Sequence, residues 1–362
     1  MNMLLQTPLN QIHKDLGARM VDFGGWEMPV IYTNQIDEHH AVRNAAGIFD
    51  VCHMGEIIVK GPDAFTLLQK VVSRDISKME NGQVSLCVLC AEDGGIIDDL
   101  TVYKYDDKNF MLVVNAGTAQ GDYEWVVKHA TGLDVQVKNR SDEVAKIDLQ
   151  GPKAEEILQK LTDADLKTIK RYHFKIISVD GVPMTVSRSG YTGEDGFELY
   201  LPNSAAVQIW NKLLAVGKPL GLLPCGLGSR DTLRTECGMM LYGHDIDREH
   251  SPLEAVYGWA VSLDKDFIGR DVLLKQKEAG LKRKLVGFEM IERGIARQHY
   301  PIYHAGRSVG EVTSGAPAPT LGKNIGLGYI EYNLREPETE IEIKVRENLV
   351  KARIVKLPFY KR

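Results

Sequence analysis

At 362 residues the chain is longer than a single ordinary core requires, so two or three domains are expected. Apolar residues at 44% and charged residues at 26% match a soluble globular protein, and 44 Lys plus Arg against 49 Asp plus Glu give a net charge of −5, which argues against general nucleic-acid affinity but leaves room for a local basic patch. The sequence has no run of about 18 apolar residues to span a bilayer, Met1 to Pro8 lacks the pattern of a secretory signal, and its scattered cysteines fit free thiols in a cytoplasm-like compartment; a mitochondrial-matrix protein whose leader has been removed would look the same.

The first readable pattern is Ile57 to Lys70: a short apolar strand, then Gly61-Pro62, then an amphipathic helix with Pro in its first turn, where a missing N–H costs little. Strands follow at Val84–Cys90 and Ile96–Tyr105, flanking the turn Glu92-Asp93-Gly94-Gly95. The chain returns through 106–109 to a strand at Phe110–Asn115 and a helix through Trp125–His129. Residues 147–160 then repeat the opening: strand, Gly151-Pro152, helix. A strand at Phe197–Leu201 and a helix through Ile209–Leu214 complete the parallel, so two similar α+β units are expected at roughly 50–130 and 140–216. Residues 217–282 read as a connection with helical and irregular pieces. From about Arg283, β-rich runs at Leu285–Phe288, Ser308–Val312, Ile325–Ile330, Glu340–Val345 and Leu349–Val355 suggest a small barrel or sandwich.

Several familiar motifs fail. Gly315 to Lys323 has the wrong spacing for a phosphate loop, and no strand-turn-helix Gly-x-Gly-x-x-Gly occurs. Cys87 and Cys90 lie in a strand, where side chains three apart point to opposite faces, so ordinary burial is favoured over a metal or redox role. His39, His40 and His53 have no partner at zinc spacing, and no metal site is expected.

Three stretches resist a purely structural account. Asp98 and Asp99 interrupt an apolar strand; alternation sends them to opposite faces, and one must face inward, where a carboxylate is costly without a partner. The alternative is a turn-end pair facing water. Ser189 to Glu198 packs glycines, aromatics and acids into one loop, which suits approach to a polar ligand or, equally, a plain hairpin. Cys225 to Arg230, with Asp231, Arg234 and Glu236, could open a helix with charges at its start, for a ligand or for a structural ion-pair network.

These stretches, in this order, resemble the glycine cleavage T protein family. Supporting runs extend over residues 6–362: Asp22 to Pro29, Phe49 to Glu56, Leu241-Tyr242-Gly243, Thr313-Ser314-Gly315, Pro319 to Lys323 and Pro358-Phe359-Tyr360. The resemblance implies an α+β, three-domain cloverleaf around a central folate channel. Residues 1–50 with 131–230 would form one α+β unit, 51–130 the unit carrying Asp99, 231–282 a connection, and 283–362 the β-rich barrel-like domain. It further implies transfer of a one-carbon unit from an aminomethyl-lipoyl group to tetrahydrofolate, with ammonia released. The lipoylated H protein would be the partner, with the other glycine cleavage components as further candidates, and neither nucleic acid nor membrane. Asp99 matches the family's catalytic position. Glu198 matches the anchor of the pterin amino and ring N–H groups. Tyr103, Asn115, Tyr172 and Tyr191 match channel positions, Arg230 a substrate-contacting arginine, and Met54 and Trp259 apolar walls.

The chain departs from the family pattern at Cys52, at Ser73-Arg74-Asp75, at Ser85-Leu86 and at Thr118. Two alternatives therefore stay open: a tetrahydrofolate-dependent methyltransferase or demethylase acting on a methylated small molecule, and a folate-binding module without transfer chemistry.

Overall fold

The computed structural model describes residues 3–362. The chain forms two compact units: one holds residues up to Leu68 with Ile76–Leu86 and Leu100–Arg230, the other Gln69–Asp75, Cys87–Asp99 and Asp231–Arg362.

The repeat read from the sequence is present as two sheets of like topology. In the five-stranded sheet the order is Gln83–Cys90, Ile96–Asp106, Asn109–Val114, Gly55–Lys60, Gln136–Asn139. In the six-stranded sheet it is Phe174–Val179, Val182–Ser187, Gly196–Pro202, Val144–Gln150, Ala46–Asp50, Leu222–Pro224. In each, a three-stranded meander ends beside the strand that opened the repeat. Helices Ala64–Val71 and Ala154–Gln159 follow the two opening strands, and Ala119–His129 and Ala206–Gly217 follow the two meanders. The Gly-Pro pairs are equivalent for a physical reason. Gly61 has φ +146° and Gly151 φ +125°, and a Cβ would lie 2.5 Å from the Asp134 carbonyl oxygen at the first and 2.6 Å from that of Val42 at the second. Only glycine fits either position.

Two neighbouring strands at one end of the larger sheet give no alternation to read. Ala46–Asp50 is buried at every residue, and Leu222–Pro224, parallel to it, is three residues long. Elsewhere period two is clear. Ala145, Ile147 and Leu149 join Phe197, Leu199 and Leu201 in a core with Ile157, Leu158, Ile209, Trp210 and Leu213 from the helices. The intervening residues form the opposite face. There, Tyr200 and Phe174 of the larger sheet pack with Val84, Tyr103, Met111 and Val113 of the smaller one.

In the second unit, residues 283–355 build a closed six-stranded barrel in the order Arg283–Met290, Lys323–Glu331, Arg307–Ala318, Pro301–His304, Glu340–Val345, Asn348–Val355. Closure leaves no unpaired edge. Phe288, Ile302, Val312, Ile330, Ile341, Ile343 and Ile354 fill it. Pro301–His304, only four residues long, carries no sequence signal. Ahead of the barrel, Arg234 on helix Leu227–Glu236 bonds Asp245 at 2.7 Å and Ser314 at 2.8 Å, so part of the charged helix is a structural network. No helix among the described residues is long and apolar enough to cross a membrane.

The N-terminal segment is pinned by a buried chain of hydrogen bonds. His13 Nε2 lies 2.8 Å from Asp50 Oδ2, with both side chains fully buried. Tyr32 Oη meets His13 Nδ1 at 2.8 Å, and Thr7 donates to Asp50 at 2.6 Å. Burial alone would raise the Asp50 pKa, but its bonds and charge interaction with His13, with the Thr7 bond, hold it below the usual carboxylate range. A depressed folded pKa contributes stability above the unfolded value of about 4 and loses it as pH falls through the folded one. Asp50→Asn is therefore expected to cost about 3–5 kcal/mol near pH 7. The gap from wild type should shrink below pH 4, which urea unfolding across pH will read.

Candidate functional site

The polar face of the six-stranded sheet carries paired charges. Glu198 stands opposite Asp148 on one neighbouring strand and Ser187 on the other, and Tyr200 stands opposite Lys146. Like charges directly opposite one another are unfavourable, and here each carboxylate has its own cation. Lys146 Nζ lies 2.7 Å from Glu198 Oε1, with side-chain exposures of 3% and 9%. Arg230 Nη1 lies 2.7 Å from Asp148 Oδ2, with Asp148 fully buried. For Glu198 burial is the largest influence and pushes the pKa up, but the Lys146 charge and the bonds from Lys146 and Ser189 bring it below the usual range. Burial, aided by the charge of Glu198, raises that of Asp148 despite Arg230 and Lys146.

Glu198 is also the focus of hydroxyl donors. Tyr103 donates to Oε2 at 3.1 Å, and Ser189 donates to the same oxygen through a short bond. A carboxylate offers roughly four lone-pair sites, and Lys146, Tyr103 and Ser189 use three. Both hydroxyls have a second partner in place: Tyr103 meets Tyr200 Oη at 2.8 Å, and Ser189 meets Ser187 Oγ at 2.6 Å. Turning toward these partners frees Oε2 for the N–H groups of a ligand without leaving a buried hydroxyl unbonded.

The other candidates of this unit fall into two groups. Arg230 lies between aromatic rings, its guanidinium 5.5 Å from the Phe49 centroid and 5.3 Å from that of Tyr191. Met54 Sδ accepts from Lys146 Nζ at 3.4 Å. The structure thus joins Glu198, Tyr103 and Met54 around Lys146, and Arg230 with Tyr191. Asn115 and Tyr172 are placed by their backbones instead. Asn115, partly buried just beyond strand Asn109–Val114, accepts through its carbonyl from the Thr118 hydroxyl. Tyr172, 49% exposed, has φ +58° and is held by backbone bonds to Arg188 and Val84. A bulky residue in this region is strained.

The Ser189–Glu198 loop owes most of its composition to packing. A Cβ on Gly190 would lie 2.0 Å from Gln150 Oε1, and one on Gly196 2.6 Å from the Leu149 carbonyl oxygen. Glu194 pairs with buried Arg43 at 3.0 Å, and Asp195 pairs with Arg188. Of its acids, only Glu198 belongs to the charged face.

In the second unit alternation separates the two aspartates: Asp98 is fully buried and Asp99 half-buried. Tyr257 donates to Asp99 Oδ2 at 2.7 Å. The Tyr257 ring meets that of Trp259 edge-on at 6.3 Å, and Arg74 lies 5.3 Å over Trp259, which is 62% exposed. Cys87 and Cys90 are buried and free, and burial pushes both thiols up to about 12. Back in the first unit, burial takes the pKa of His53 down to about 4. No cluster of metal-ligating side chains is found among the described residues.

Lys146 and Asp148 belong to the charged face of the candidate site, and the sequence reading does not single them out. Like Asp98 and Asp99 they are charges within an apolar strand, but spaced by two so that both face one side, in Val-Ala-Lys-Ile-Asp-Leu-Gln. Tyr257 and Tyr200 give none, because an aromatic in an apolar run reads as core.

A duplicated α+β unit followed by a closed barrel, with a paired-charge face in the first unit, defines the class. Residues 9–265 match the family described as GCVT N-terminal domain, and residues 283–361 match the glycine cleavage T-protein C-terminal barrel domain. The chain belongs to this family. It is 50% identical to an aminomethyltransferase of Alkaliphilus metalliredigens over 99% of this chain and 98% of that protein. It is 52% identical to one of Caldanaerobacter subterraneus over 99% and 96%. The crystal structure of glycine cleavage system aminomethyltransferase T from Bartonella henselae superposes with a TM-score of 0.93 at 33% identity, covering 99% of this chain and 98% of that one.

Gly190→Ala forces Gln150 to move and should cost about 1–3 kcal/mol. Gly121, exposed on helix Ala119–His129 with nothing within 4 Å of its Cβ position, is the contrast: Gly121→Ala should stabilise by about 0.5–1 kcal/mol. Thermal melts of the two variants will check both signs.

Proposed function

We propose that this protein is a tetrahydrofolate-dependent aminomethyltransferase of the glycine cleavage system. It moves the one-carbon unit of an aminomethyl-lipoyl group, presented by a lipoylated H protein in the cytoplasm, to tetrahydrofolate and releases ammonia. The observation that carries this reading is half-identity, over 99% of the chain, to proteins described as aminomethyltransferases.

The residues suit the chemistry. Glu198, kept ionised by Lys146, accepts from the N–H edge of the pterin while Tyr103 and Ser189 turn to Tyr200 and Ser187. Arg230 offers a planar fork for a carboxylate or carbonyl, held flat by Phe49 and Tyr191. Tyr172, Asn115 and Met54 serve as further binding contacts. Asp99, oriented by Tyr257, supplies negative charge where positive charge develops as the donor's bonds break, with Trp259 as an apolar wall.

Two departures from the family pattern are accommodated by local hydrogen bonds. Cys52 is buried and its thiol donates to the Lys146 carbonyl; the Thr118 hydroxyl donates to the Asn115 carbonyl. Arg74 lies on Trp259, within the Asp99 group, and it keeps the reading of a methylated small-molecule donor in view. One assay separates the two: with aminomethylated lipoyl carrier and tetrahydrofolate, ammonia and methylene-tetrahydrofolate should form together. Turnover of a methyl donor without ammonia would favour the second reading.

Asp99→Asn should cut turnover at saturating tetrahydrofolate about 100- to 1,000-fold with little change in melting temperature. Asp98→Asn, at a fully buried position, should register mainly in the melt. The reverse pattern would move the catalytic role to Asp98. Glu198→Gln turns one acceptor into a donor and should weaken folate binding about 10- to 150-fold by calorimetry.

A further inference from the structure

The strand Val144–Gln150 is antiparallel to the strand bearing Glu198, and two of its side chains each clamp one charged candidate. Lys146 holds Glu198 at 2.7 Å and Asp148 holds Arg230 at 2.7 Å. We propose that Lys146 is a positioning residue for folate recognition. It sets the charge of Glu198, so that the acceptor is ionised before the ligand arrives. This rests on the reading of Glu198 as the pterin anchor.

The argument is one of burial and counter-charge. Glu198 is 7% exposed and stands directly across the strand pair from Asp148, which is fully buried. Two carboxylates so placed cannot both stay ionised without cations, and the one less well paired takes a proton. Lys146 is the cation on Glu198; Arg230 contributes a weaker attraction and is committed to Asp148. Glu56, also fully buried with neither side-chain oxygen hydrogen-bonded, is pushed up to about 8, first by burial and further by the charge of Glu198, so it is neutral at pH 7 and leaves the negative charge to Glu198. Tyr103 and Tyr200, the remaining titratable groups facing Glu198, are held protonated well above neutrality, first by burial and then by the charge of Glu198. Lys146 therefore decides the ionisation of Glu198. It also leaves one lone pair of Oε1 free, and Met54 Sδ, 3.4 Å away, helps to hold the ammonium in place.

The position of Lys146 also explains why it is not itself a ligand contact. Its ammonium sits over the Tyr200 ring, Nζ 5.6 Å from the centroid, and its side chain is 3% exposed. It acts through Glu198.

The test is a pH profile of tetrahydrofolate affinity, measured anaerobically by calorimetry from pH 6 to 9, for wild type, Lys146→Arg, Lys146→Met, Lys146→Gln and Glu198→Gln. Lys146→Gln keeps an N–H toward Glu198 and is the variant to read should Lys146→Met fail to fold. An opposite charge typically lowers a carboxyl pKa by about 1–3 units, so its loss carries Glu198 up toward neutrality. The neutral variants should then lose about ten-fold in affinity per pH unit below that value and recover as pH rises. Lys146→Arg should follow wild type. Glu56 also loses the charge of Lys146 in the neutral variants, so the profiles are repeated on a Glu56→Gln background, which keeps its titration out of the difference. If the neutral variants bind more weakly by the same factor at every pH, or no more weakly, while Glu198→Gln is impaired, the proposal fails and the anchor stands. If Glu198→Gln binds as wild type, the anchor reading itself fails and the proposal with it.

Discussion

The candidate binding site of the first unit depends on the pleat of one strand. Between Val144 and Gln150, Ala145, Ile147 and Leu149 enter the core beneath the helices, while Lys146, Asp148 and Gln150 go to the other face. That second face is as buried as the first: the three polar side chains are 0–3% exposed. Charges in such a place are stable only when paired and hydrogen-bonded. Pairing across the sheet to Glu198, and to Arg230 on helix Leu227–Glu236, meets that requirement and makes up the charged face of the candidate site. A one-residue slip of this strand would put Lys146 and Asp148 into the apolar core, so its register and the site are fixed together.

The same logic separates structural acids from functional ones. Glu194 is buried, but Arg43 satisfies it in a pocket with Thr192, and Asp195 is spent on Arg188. Glu198 differs in that two of its donors are hydroxyls with another acceptor at hand. Exchange of hydroxyl partners costs little, whereas separating a buried carboxylate from guanidinium costs several kcal/mol. Burial and charge alone would rank Glu194 beside Glu198; the replaceability of the donors distinguishes them.

Much of this architecture is legible in the sequence. The Gly-Pro repeat is readable because both glycines meet the same constraint, a positive φ against a neighbouring backbone, and that constraint leaves an identical mark in sequence. The barrel is readable from short runs between turns, save Pro301–His304, too short for any period. Asp99 and Glu198 stand out as charges in apolar strands. Lys146 and Asp148 bear that same mark, but they lie inside the segment that announces the repeat, where Gly151-Pro152 and the helix after it make the strand look like plain core. The loop glycines mislead in the other direction: Gly190 and Gly196 are explained by Gln150 and the strand beside it.

Asp98 and Asp99 show where sequence alternation stops being informative. Period two says that the pair divides between faces, and it does, but it does not say which face holds chemistry. The fully buried member, Asp98, is the more costly to place and would be the first choice on energetic grounds alone. Asp99, half-buried with Tyr257 on one oxygen, is better suited to act, because a carboxylate that stabilises developing positive charge must reach the reacting group while its orientation is held. A hydroxyl donor suits that role, since it fixes the carboxylate without neutralising it, as a lysine or arginine in the same place would. Glu198 in its proposed role needs the opposite, because an acceptor of N–H groups works when ionised at rest, and Lys146 supplies a permanent counter-charge. Asp99 is oriented by a tyrosine, whereas Glu198 has a lysine beside its two hydroxyl donors, an arrangement that suits the different moments at which each would carry its charge in the proposed roles.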